Sequence, residues 1–298
     1  MPPLPPTQDV LEALQAMMFP AAGAAALVFA LVLILGRWAA AMGSAIAIVA
    51  GIAVGNHYRE APMPWVADVP PWHQLPRAAL LLVVVGLLSR WLSLLVGHRP
   101  ALREVVVWLP RFATLVFVAF QVIPDTMRTE TPWVIPAFVL ASLLEWLIFD
   151  TLARDGNGGQ VAAYQSLIFL LGSGVMLYAH SGRFMDISTI VGCAFFGVAV
   201  VAGATKTETS GSVPAGIGFL PGLMLSGRFS TESQVPLLSF WLVALAPLLL
   251  APWLVPAIAH RNGWAVRIIR VVLILCALGA ALVLAGQKET LPWEEQNW

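Results

Sequence analysis

Residues 17–36 read MMFPAAGAAALVFALVLILG, twenty residues without one charged side chain. Hydrocarbon about 30 Å thick is crossed by roughly 20 apolar residues wound as a helix, because a helix satisfies its own backbone N–H and C=O groups where no water can. The stretch is therefore expected to span a membrane. It lacks the basic flank of a cleavable signal, since Asp9 and Glu12 precede it, and its apolar run is too long for a signal core. It is expected to persist in the mature protein.

Working outward from this segment, nine further apolar runs follow: Trp38 to Gly55, Ala78 to Gly97, Glu104 to Ile123, Trp133 to Phe149, Gly159 to His180, Phe184 to Gly203, Val213 to Ser226, Val235 to Ile258 and Trp264 to Ala285. The expected fold class is all-α, a polytopic transmembrane helix bundle of about ten spans. Residues 1–298 form one integral membrane domain with short tails at 1–16 and 286–298. A loop at 56–77, rich in proline and carrying Trp65 and Trp72, is expected to lie extended against the headgroups.

Composition agrees with the pattern. Of 298 residues, 59% are hydrophobic and 11% charged, against about 25% charged in soluble domains, which excludes an ordinary soluble enzyme. Sixteen basic and sixteen acidic residues give zero net charge, and no basic run offers a footprint for nucleic acid. Cys193 and Cys276 both lie in apolar runs and read as buried small hydrophobes rather than a disulfide or thiolate site.

Val213 to Ser226 is the least regular run. Pro214, Gly216, Gly218, Pro221 and Gly222 interrupt it, so it reads either as a short span or as a re-entrant element, which would leave nine spans. With ten crossings, the odd-numbered connections hold eight Lys and Arg and the even-numbered ones six, which favours both termini outside the cytoplasm. Fourteen arginines against two lysines suit a GC-rich genome, and the expected location is a bacterial-type inner membrane. Ser-Gly-Arg-Phe occurs at 181–184 and again at 226–229, too short a repeat to establish internal symmetry.

Ionisable groups inside spans cost at least about 2.5 kcal/mol each on insertion scales, so they are the informative residues. Arg90, Arg111 and Glu145 fall at comparable depth on one membrane side, and an Arg111–Glu145 pair between adjacent helices is expected to relieve the cost of both charges. Pro110 is expected to kink the helix beside Arg111. The trio reads either as a substrate or ion path or as snorkelling anchors with a structural carboxylate. Gln165, with Tyr164 and Ser166, adds hydrogen-bonding groups from the same side. A second candidate region spans Gly203 to Gly227, where Lys206, Glu208 and several Thr and Ser residues precede the proline- and glycine-interrupted run.

No haem-ligating histidine pair, metal template, phosphate loop, dinucleotide fingerprint or nucleophile motif is present. His57, Glu60, Asp68 and His73 share a loop without matching any metal spacing. No cofactor, no catalytic residue and no nucleic-acid partner is expected, while the lipid bilayer is. The leading functional expectation is a small-solute transporter or permease-like protein taking a small polar solute or ion. The alternatives are a non-catalytic subunit or assembly factor with a membrane-protein partner, and a membrane-embedded enzyme acting on lipid or isoprenoid substrates.

Overall fold

The structure, a computed structural model, describes residues 7–36, 39–58, 74–96, 100–123, 128–129, 131–154, 158–229, 231, 233–255 and 263–289. Most of the expected 56–77 loop and of the 286–298 tail lies outside these, as do residues 1–6. Among the described residues the α-helices follow in the order α1 Thr7–Leu35, α2 Ala40–Tyr58, α3 Gln74–Leu95, α4 Pro100–Val122, α5 Val134–Arg154, α6 Gly158–Tyr178, α7 Gly182–Thr205, α8 Val213–Phe229, α9 Leu237–Ala244 and α10 Trp264–Gly286. A 3-10 helix, Ala246–Leu254, follows α9. The chain is an all-α helix bundle without strands among the described residues.

Eight segments are long and apolar enough to cross a membrane: those of α1, α2, α4, α5, α6, α7 and α10, and the Leu237–Leu254 stretch. Phe19, Ile34, Leu35, Leu109 and Ile269 stand exposed on outer faces, the placement expected where the surrounding solvent is lipid. Cys193 is buried as expected, whereas Cys276 lies exposed on α10. The first helix begins at Thr7, so most of the expected 1–16 tail belongs to it.

The interrupted segment Val213 to Ser226 is a continuous helix. Pro214 sits at its second position, where the missing N–H would have no helical acceptor, and only Pro221 lies inside it. Val213 through Gly227 are all buried, because α2 through α7 and α9 surround this helix. Its 17 residues reach about 26 Å. The glycines that looked like breaks are places of close approach: at Gly216 a side chain would collide with the Gln165 amide. Full burial explains why α8 shows no amphipathic pattern in the sequence.

The run Val235 to Ile258 is not one regular helix. Pro247 cannot donate to the Val243 carbonyl, so α9 stops at Ala244 and the chain tightens into the 3-10 turn, with Leu248 N–H bonded to the Leu245 carbonyl at 2.9 Å.

Two helix ends use left-handed residues other than glycine, His180 at φ 56° and Lys206 at φ 52°. In each, the next N–H reaches back five residues, Ser181 to the Met176 carbonyl at 3.0 Å and Thr207 to the Ala202 carbonyl at 3.2 Å, closing the helix with a Schellman-type bond. The two Ser-Gly-Arg-Phe copies occupy unlike places, one opening α7 and the other closing α8, so they mark no structural repeat.

Candidate functional site

Arg111 lies on α4, one residue after Pro110, with its side chain 5% exposed. Its Nη1 donates to Asp150 Oδ2 on α5 at 2.8 Å, and its Nε donates to Ser89 Oγ on α3 at 3.4 Å. The guanidinium also lies over two indoles, 4.5 Å from the Trp146 ring centroid and 5.0 Å from that of Trp108. Trp108 is itself oriented by its Nε1–H, which donates to Glu104 Oε2 at 3.0 Å. One arginine thus fastens α3, α4 and α5 together.

The expected partner of Arg111 was Glu145, and the structure replaces it with Asp150. The apolar run ends at Phe149, which placed Asp150 in a connection, but α5 continues to Arg154 and carries Asp150 on the Trp146 face, one turn further on. Glu145 points about 100° away from Trp146 around the helix. It is fully buried, and neither carboxyl oxygen has a hydrogen-bond partner. Ser142, one turn earlier, likewise has a buried hydroxyl without a partner. The Arg90 side chain lies outside the described residues.

Between α3, α4, α5 and the start of α8 is a cavity of about 440 Å³. Arg103, Glu104, Trp108 and Arg111 line it from α4, and Trp146, Asp150 and Thr151 from α5. Ser210, Gly211 and Pro214 close it from the other side. The two polar regions of the sequence therefore meet here.

The second region arrives as a folded turn rather than a solvated loop. Thr207, Thr209, Ser210 and Ser212 are buried, and Ser212 Oγ donates to the Thr209 carbonyl at 2.7 Å. Gly211 rests against the Ala41 carbonyl of α2, where a Cβ has no room. Not every expected residue comes to the cavity. Lys206 is exposed at the end of α7 and lines a separate surface recess with Ala30 and Ile34 of α1. Glu208 is half-buried outside the cavity wall. Gln165 on α6 is buried and donates from Nε2 to the Val213 carbonyl at 3.3 Å, steadying the start of α8.

A further charged residue escaped the sequence reading. Arg270 was assigned to a connection, yet it is fully buried on α10, with its guanidinium carbon 5.0 Å from the Trp253 ring centroid. The Tyr164 phenol is near enough to interact with it electrostatically, but no hydrogen bond of normal geometry reaches any of its three guanidinium nitrogens. A buried arginine is no flank marker, so the count of basic residues favouring outside termini narrows from eight against six to seven against six.

Comparison of the chain with protein-family models, with curated proteins and with solved structures finds no match.

Proposed function

We propose that the protein is a permease-like carrier whose substrate site is the cavity around Arg111 and Asp150. The observation that supports this reading is convergence: two polar segments far apart in sequence wall a single cavity inside the bundle. An ion pair beneath two indoles offers fixed charge and flat apolar surface together, the mixture that orients a polar ligand. The central position of α8, whose start forms one wall, couples the site to nearly every other helix, as alternating access requires. The membrane proposed is a bacterial-type inner membrane, with both termini outside the cytoplasm as the arginine distribution favours.

The test is a ligand screen on the purified full chain in mild detergent, reading thermal stability against amino acids, organic acids, sugar phosphates and quaternary amines. At least one class is expected to stabilise the wild type and to lose that effect in Asp150→Asn. A stoichiometric partner subunit co-purifying with a chain that no solute stabilises would instead favour the non-catalytic subunit reading.

A further inference from the structure

The polar cavity shares a wall with an apolar groove. Val105, Trp108, Leu109 and Phe112 form one side of the groove on α4, and Leu140, Leu143, Leu144 and Leu147 form the other on α5. Each set follows the i, i+3, i+4, i+7 spacing of a single helix face, so the two stripes run side by side for about 10 Å. The groove has a volume of about 590 Å³ and opens on the outside of the bundle, where Leu109 is 62% exposed and Leu140 59% exposed. Trp108 and Leu147 line both the groove and the cavity, so the two spaces adjoin at these side chains.

The cavity takes in Arg103 and Glu104 near the start of α4, and the groove continues from Trp108 toward Phe112 and Leu140, away from those helix ends. A ligand filling both would therefore hold its polar part near the ends of the helices and its apolar part along the span. That is the arrangement of a membrane lipid.

The polar end favours an anion rich in acceptors. Both cavity carboxylates already hold partners, Asp150 on Arg111 and Glu104 on the Trp108 indole. Arg103 adds a guanidinium on the same wall. Ser210 and Gly211, in the turn before α8, and Pro214, in its first turn, line the same space, so the positive end of the α8 dipole lies beside it.

We infer that the site takes a phosphate-bearing lipid, with the phosphate in the cavity beside Arg103 and Arg111 and an acyl chain in the groove between α4 and α5. This rests on the carrier reading of the cavity and names its substrate class. The acyl chain enters sideways from the bilayer through the open groove, so the substrate need not leave the membrane.

The experiment is a native mass-spectrometry titration of the full chain in detergent with three probes: dioleoyl phosphatidic acid, dioleoylglycerol, and glycerol 3-phosphate. The intact phospholipid is expected to bind one to one and at least roughly tenfold more tightly than either part alone. Arg103→Ala and Leu144→Trp are each expected to weaken it by about tenfold without moving the melting temperature, since both side chains are exposed. Equal binding of dioleoylglycerol overturns the inference, because the cavity then reads no phosphate. Equal binding of glycerol 3-phosphate overturns it too, but leaves the carrier reading standing with a free solute. Binding of none of the three, or binding untouched by both substitutions, also overturns it.

Discussion

Asp150 holds Arg111 at 2.8 Å from one turn beyond Trp146, whose ring lies against the same guanidinium. Both partners are nearly inaccessible, with side chains 5% and 9% exposed, so removing one takes a close counter-charge from the other inside the bundle. Asp150→Asn is expected to destabilise the protein by about 3 to 5 kcal/mol. The double substitution Arg111→Met with Asp150→Leu is expected to restore most of that loss, because the pair exists at the expense of desolvating both groups. Thermal melting of Arg111→Met, Asp150→Leu and the double substitution in one detergent gives the coupling directly. Additive losses would show that the pair is not the energetic unit claimed.

Gly211 tests the second wall of the cavity. Its Cα presses on the Ala41 carbonyl, so Gly211→Ala must push the turn off α2 and disturb Ser210 and Pro214 along with it. Overpacking of this kind costs about 1 to 3 kcal/mol. Gly203→Ala, where nothing lies within 4 Å, serves as the control and is expected to be neutral or better. Equal melting temperatures for the two variants would remove the tight fit from the description of the site.

The bundle was legible because its signal is additive over some twenty apolar residues, and eight such segments emerge as membrane-length helices. What stayed hidden depended on single residues. Asp150 and Phe149 are adjacent, and hydropathy ends the run at the charge, although the helix continues for another turn. Arg270 lies within the run Trp264 to Ala285 but near its start, where a basic residue reads as a flank marker, and only the packing shows it buried. The proline and glycine pattern of α8 was visible, but the same residues can break a helix or let it be surrounded closely, and only its neighbours decide which. Arg111 was recognisable as a membrane-embedded charge, while its partner required knowing which face of α5 turns toward α4.

Among the described residues, nothing pairs with Glu145 to account for its burial. Neither carboxyl oxygen has a partner, and the residue lies outside the cavity wall. An unsatisfied buried polar group costs about 1 to 3 kcal/mol, so Glu145→Leu, of comparable volume, is expected to raise the melting temperature. Glu145→Gln is expected to leave folding and expression intact, so any loss of ligand binding or transport in that variant reports function directly. A drop in stability on Glu145→Leu would mean that the carboxyl is held by a group the present geometry does not pair with it.

Arg270 provides the complementary case, a buried cation with donors only. Among the described residues no acceptor of normal hydrogen-bond geometry meets its three nitrogens or the Trp253 Nε1–H beside it, so the guanidinium rests on the face of the Trp253 ring and on the nearby Tyr164 phenol. Such a contact contributes up to about 2 kcal/mol when desolvated, against unpaired donors that cost about 1 to 3 kcal/mol and more when charged. The balance favours replacement. Arg270→Met, which keeps the length and the contact with the indole, is expected to hold or raise the melting temperature. Trp253→Leu in the wild-type background is expected to lower it, because the arginine then loses its one favourable neighbour of the 3-10 helix. If Arg270→Met instead destabilises by more than about 2 kcal/mol, the guanidinium must be satisfied by an acceptor in the folded protein, and a buried anion at the junction of α6, α10 and the 3-10 helix becomes the thing to look for.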